Sequence, residues 1–172
     1  MTGRLRRFAV GAGVGALALA LGVAVAMWNA KAPDASALLA LSLPDTQGTA
    51  QPLRQWRGKV LVINFWATWC EPCREEMPEF IRVQRELGPQ GVQFVGIAVD
   101  SADKVGRFAT QLGLNYPALV AGYDAIDLSK PLGNPLLALP FTVIVGRDGQ
   151  VALTHVGPIN PAQLRSTIAK LI

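Results

Sequence analysis

The chain has 172 residues and a mass of 18.3 kDa, the size of a single domain. Hydrophobic residues make up 51% of it and charged residues 16%, with a mean hydropathy of +0.31, which excludes a disordered chain and is high for an ordinary soluble domain. The net charge of +4 belongs to the N-terminus: Arg4, Arg6, Arg7 and Lys31 precede the first acid, and the 12 remaining Lys and Arg balance 12 Asp and Glu, leaving no basic footprint for nucleic acid.

Residues 1–7 form a basic stub. Phe8 to Trp28 follows as 21 residues without a charge. At ~1.5 Å rise per residue this run spans a hydrocarbon core of roughly 30 Å. The arginines before it keep the N-terminus cytoplasmic and send the body outward, with Trp28 at the far interface. A transmembrane anchor is therefore expected over residues 8–28. A cleaved signal is the alternative, because Ala24-Val25-Ala26 and Ala30-Lys31-Ala32 both fit a cleavage site, but a signal's apolar stretch runs only about 7–15 residues. Arg6-Arg7-Phe8 is a faint match to a twin-arginine signal, with the rest of that pattern missing. Residues 29–37 (NAKAPDASA) read as a short tether, and residues 38–172 as the folded body.

The body alternates strands and helices. Leu38 to Leu43 and the stretch from Thr49 to Leu53 read as short strands around the turn Pro44-Asp45-Thr46-Gln47-Gly48. Lys59 to Trp66 is a near-continuous apolar run, the mark of a strand buried on both faces. Arg74 to Leu87 follows as an amphipathic helix with Met77, Phe80, Ile81 and Leu87 on one face and Glu75, Glu79, Arg82 and Glu86 on the other. Val92 to Val99 is a second buried strand, and Asp103 to Leu114 a helix with Val105, Phe108, Ala109 and Leu112 inward. Tyr116 to Val120 reads as a short strand and Ala125 to Leu137 as a helix broken by Pro131 and Pro135. Phe141 to Val145, the turn Arg147-Asp148-Gly149 and Gln150 to Val156 make an antiparallel hairpin. Asn160 caps a last helix with Pro161 at its first position and Leu164, Ile168, Leu171 and Ile172 toward the sheet. This order predicts a three-layer α/β/α sandwich.

Cys70 and Cys73 are the only cysteines, too few for a disulfide scaffold or a self-contained zinc site. They sit where a buried strand meets a helix. Unpaired N–H groups and the positive helix end stabilise a thiolate there, which lowers the Cys70 pKa below the free value of ~8.5 and makes it the nucleophile. Cys73, one turn deeper, is expected to be the buried, resolving thiol. Glu71 between them disfavours the thiolate and keeps the depression modest. Pro72 stiffens the first turn at no cost in helix hydrogen bonds.

The run Val62-Ile63-Asn64-Phe65-Trp66-Ala67-Thr68-Trp69-Cys70-Glu71-Pro72-Cys73-Arg74-Glu75-Glu76-Met77-Pro78 resembles the membrane-anchored TlpA/ResA/CcmG-like thiol–disulfide oxidoreductases of the thioredoxin superfamily. Pro78 falls where that superfamily kinks its active-site helix. Leu43-Pro44-Asp45 with Gly48, Arg57-Gly58-Lys59, Leu139-Pro140-Phe141 and Gly146-Arg147-Asp148-Gly149 extend the resemblance over residues 38–172. It implies a thioredoxin-like mixed sheet of four to five strands, with a βα insert after the central strand at about residues 101–130. It also implies a cis bond before Pro140 and a substrate-binding rim of Trp69, Glu71, Pro72, Leu139 and Pro140. Glu76 is implied as the proton acceptor near the dithiol, and its helical phase, shared with Cys73 and Phe80, turns it inward. Asn64 stands where cytoplasmic thioredoxins carry a buried acid, which leaves Glu76 as the nearby base.

The expected function is a periplasm-facing thiol–disulfide oxidoreductase of the bacterial inner membrane, reducing client-protein disulfides without a cofactor or resident metal. By resemblance its clients are apocytochrome c or copper-site proteins, and its electron donor is a DsbD/CcdA-type transporter. Two rival readings stand beside it. A copper(I)-handling chaperone resembling Sco proteins would use both thiolates with His155, the only histidine, but spaces its cysteines by three residues rather than two. A thiol peroxidase would carry Thr or Ser three residues before its nucleophile, where this chain has Ala67. His155, near the end of a strand, otherwise reads as structural or exposed.

Overall fold

The structure is a computed structural model that describes residue 22 and residues 35–172. The chain divides into two units, Met1–Ala32 and Pro33–Ile172. No helix among the described residues is long and apolar enough to cross a membrane. The span expected over residues 8–28 lies outside them, Gly22 apart.

In chain order the second unit runs α1 (Ser36–Leu39), β1 (Ser42–Pro44), β2 (Ala50–Pro52), a 3-10 turn (Leu53–Trp56), β3 (Val60–Trp66), α2 (Glu71–Leu87), β4 (Val92–Ala98), α3 (Ala102–Leu112), β5 (Ala118–Val120), a 3-10 helix (Tyr123–Leu132), β6 (Phe141–Val145), β7 (Val151–Val156) and α4 (Pro161–Ala169). One mixed sheet has the strand order β5-β4-β3-β6-β7, and β1 and β2 form a separate hairpin. β3, β4 and β5 are parallel, whereas β6 pairs antiparallel with β3 and β7. This is a thioredoxin-like α/β fold. The hairpin is tied to the sheet edge by a bridge between Asp45 and Leu119.

β3 is buried along its whole length, as its apolar run predicts. Alternate residues point to opposite faces. Val60, Val62 and Trp66 join one core with Met77 and Phe80 of α2, Val105 of α3, and Leu164 and Ile168 of α4. Leu61, Ile63 and Phe65 join a second core with Leu38, Leu39, Leu53, Leu132 and Phe141. The crossovers β3-α2-β4 and β4-α3-β5 advance across the sheet in the same direction, so right-handed connections put both helices on one face. The opposite layer is built of α1, the hairpin and 3-10 segments rather than long helices.

Three expectations are corrected. Leu38 to Leu43 is not one strand: Leu38 and Leu39 are adjacent and both pack into the same core, which a helical turn allows and a strand, whose neighbours point to opposite faces, does not. The expected helix over Ala125–Leu137 is a 3-10 helix ending at Leu132. Pro131 brings no N–H donor, and Gly133 ends the segment in a left-handed conformation. α4 stops at Ala169, so Ile172 is exposed rather than facing the sheet, while Leu171 still packs on the core. The final hairpin and the Asn160 cap, whose side chain accepts from the Ala162 N–H at 2.8 Å, form as expected.

Candidate active site

Cys70 and Cys73 are joined in a disulfide at the head of α2, with Cα atoms 5.3 Å apart. Cys70 is the N-cap residue in extended conformation, and its Sγ accepts from the Cys73 N–H at 3.3 Å. The helix start therefore already directs an N–H donor at the sulfur expected to carry negative charge. Cys73 is completely enclosed, whereas Cys70 lines an apolar concavity of about 390 Å³ with Trp69, Pro72, Val99, Ile126, Leu137 and Leu139. Trp69 is 61% exposed and forms its rim; Trp66 is core. Glu71 is exposed beside the dithiol. The Leu139–Pro140 bond is cis, and β6 begins at the next residue.

Glu76 lies one turn beyond Cys73 on α2 and is buried, as its helical phase requires. Its Oε1 accepts from Asn64 Nδ2 at 2.9 Å and its Oε2 from the Ile159 N–H at 3.1 Å. Burial pushes its carboxyl up to about 7, against the pull of those two hydrogen bonds. A buried acid poised there can hold or release a proton at neutral pH. Asn64 Nδ2 also donates to Thr142 Oγ1 at 3.1 Å, opposite it in the β3–β6 register. Asn64 Oδ1 has no hydrogen-bond partner among the described residues. Glu75 is exposed and Glu79 is engaged by Arg165 at 2.9 Å, so neither competes for the inner position.

Three features of the site carry no motif. Asp100 is fully buried just past β4; it accepts from Thr68 Oγ1 and from the Ser101 N–H at 2.8 Å, with Lys104 Nζ 3.4 Å away. Burial pushes its carboxyl upward, but these donors outweigh burial and hold it below the usual carboxylate range. With the Val99 N–H donating to Trp66 O at 2.8 Å, it fixes the loop that carries Trp69 and Cys70. Ile126 and Leu137, from the segment between β5 and β6, complete the concavity. An acid immediately after a buried parallel strand was the available signal for Asp100, since strand carboxyl ends gather sites in α/β sheets. Ile126 and Leu137 had none.

His155 is half-buried on β7 with Nε2 3.2 Å from Pro158 O. No group of three or more His, Cys, Asp or Glu among the described residues could hold a metal ion, so His155 and the two cysteines do not converge.

The model of the Redoxin family matches residues 27–172. The thiol-disulfide oxidoreductase ResA of Bacillus thuringiensis subsp. konkukian is 30% identical over 128 residues, covering 74% of this chain and 72% of that protein. ResA of Halalkalibacterium halodurans is 31% identical over 117 residues, 67% of this chain and 64% of that protein. The crystal structure of a thioredoxin-family thiol:disulfide interchange protein from Chlorobium tepidum superposes with a TM-score of 0.72 at 27% identity, covering 83% of this chain and 98% of that one.

Proposed function

The chain is a thiol–disulfide oxidoreductase of the Redoxin family, and we propose that it works as a reductase of disulfides in client proteins. The observation that carries this reading is the Cys70–Cys73 disulfide with its outer sulfur in an open apolar concavity and its inner sulfur enclosed one turn before a buried acid. Starting from the dithiol, the Cys70 thiolate attacks one client sulfur. The client S–S bond breaks, its second sulfur leaves as a thiolate and takes a proton, and a mixed disulfide forms. Cys73 then gives up its proton, for which Glu76 is the acceptor, attacks Cys70 Sγ and expels the first client sulfur. Two electrons pass to the client, and the protein is left in the disulfide form described above. A thiol donor must reset it; a transmembrane carrier of the DsbD/CcdA type fits an anchored protein.

Residues 8–28 serve in this reading as an inner-membrane anchor that holds the domain in the periplasm. Apocytochrome c and copper-site proteins are the proposed clients. Trapping tests the core of the reading. Cys73→Ser leaves Cys70 without its resolving partner, so clients should accumulate as mixed disulfides at Cys70, identifiable by mass spectrometry after release with dithiothreitol. An adduct that persists in the Cys70→Ser variant, or none at all, would overturn it. Carbonate-washed membranes should retain the chain at full length; a shortened soluble species would place cleavage at Ala26 or Ala32 instead.

A further inference from the structure

The segment between β5 and β6 is organised around one buried amide. Asn134 is fully enclosed, and its side chain makes three hydrogen bonds: Nδ2 donates to Ser129 Oγ at 3.0 Å and to Ala138 O at 2.9 Å, and Oδ1 accepts from the Ala138 N–H at 3.0 Å. Ser129 Oγ in turn donates to Ile126 O at 2.6 Å. One side chain thus ties both ends of the turn at residues 134–138 to the 3-10 helix before it. Within that turn the Leu137 N–H donates to Asn134 O at 3.1 Å, and Leu137 is held at φ +55°, the only non-glycine with positive φ among the described residues. A γ-branched apolar residue takes that conformation only where its surroundings impose it.

The outcome is that Leu137, with Ile126, lines the wall of the concavity that contains Cys70. Disulfide exchange brings a client sulfur into bonding contact with Cys70 Sγ, which sets a residue beside the client's cysteine within reach of this same concavity. The wall they meet is made of Val99, Ile126, Leu137 and Leu139, with Trp69 at the rim. A charged flanking residue would lose its hydration there without a partner, whereas an apolar one gains by burial.

We propose that Ile126 and Leu137 form an apolar subsite for an aliphatic or aromatic side chain next to the client's reactive cysteine, with Asn134 as the positioning residue that holds it. The inference rests on the reductase reading and narrows its substrate class.

The test uses the full-length chain, kept reduced by dithiothreitol and corrected for the uncatalysed rate, and two synthetic peptides, each with one internal disulfide, identical except for Phe or Asp beside a cysteine. The wild type should reduce the Phe peptide with a kcat/KM at least about tenfold above that of the Asp peptide. Leu137→Asn, which accepts the left-handed backbone at similar size, should bring that ratio to about threefold or less. Asn134→Ala should lower the ratio with the effect mainly in KM, and Leu137→Asn remains the deciding variant if Asn134→Ala does not fold. Equal kcat/KM for the two peptides in the wild type, or an undiminished ratio in Leu137→Asn, would overturn the subsite while leaving the reductase reading intact. If neither peptide nor glutathione disulfide is reduced, the reductase reading falls and the subsite with it.

Discussion

Asn64 on β3 donates to Glu76 on α2 across 2.9 Å, and the same amide nitrogen reaches Thr142 on β6. Glu76 therefore anchors the active-site helix to the sheet as well as sitting behind the dithiol. With the Ile159 N–H on its other oxygen, both oxygens are occupied by donors that a carboxylate satisfies and an amide cannot.

This pairing has a pH signature. Burial lifts the Glu76 carboxyl from its ordinary 4.5 to about 7, so between those values the folded chain keeps a proton that the unfolded chain has lost. Stability then declines as pH rises from about 4.5 through 7, by roughly 3 kcal/mol in all, and is level above. Glu76→Gln should abolish that slope. Its NH2 must face one of the two donors, at a cost of about 1–3 kcal/mol below pH 5, where the wild type bears no charge. Denaturant unfolding at pH 5 and pH 8 checks both; equal slopes in the two proteins would refute the assignment.

The same acid should shape the kinetics. The rate of resolution of the mixed disulfide is expected to inflect near pH 7 in the wild type and to lose that inflection in Glu76→Gln. Glu75→Gln, altering an exposed residue, is the matched control. Stopped-flow exchange from pH 5 to 9 distinguishes them.

Asp100 behaves in the opposite sense. Its donors hold the folded pKa below 3.8, so the stability it contributes is present above that value and lost as pH falls through the folded pKa. Asp100→Asn should flatten this acid limb. Thr68→Val withdraws one donor from a buried carboxylate and should cost about 1–3 kcal/mol, read from the denaturation midpoint near pH 7.

Gly96 on β4 has no room for a side chain. A Cβ there would stand 2.7 Å from Trp66 Nε1, and Trp66 is fully enclosed. Gly96→Ala should destabilise by about 1–3 kcal/mol through overpacking and alter the intrinsic tryptophan fluorescence. A variant as stable as the wild type would mean the indole can move.

In the reduced protein, iodoacetamide at neutral pH should label Cys70 well before Cys73, because Cys70 opens on the concavity and receives the Cys73 N–H while Cys73 is enclosed. Alkylation at equal rates, followed by mass mapping, would remove Cys70 as the attacking thiol.

What was legible in the sequence was local. The apolar run at Val60–Trp66, the cysteines spaced one helical turn apart behind it, the Asn160-Pro161 cap and the turn at Arg147-Asp148-Gly149 each act over a few residues, and each formed as its pattern dictates. The inward phase of Glu76 was legible for the same reason. Local pattern misread Leu38–Leu43, a short apolar run that fits a helical turn as well as a strand, and Ala125–Leu137, where apolar residues lie among Pro131, Gly133 and Pro135. The partners of the site were decided by the tertiary structure alone. Glu76 meets Ile159 from 83 residues away, Asn64 meets Thr142 from 78, and Thr68 meets Asp100 from 32. Periodicity states which face of an element is buried. Which donor waits on the other side depends on the order β5-β4-β3-β6-β7, which brings those distant residues to one end of the sheet beside Cys70.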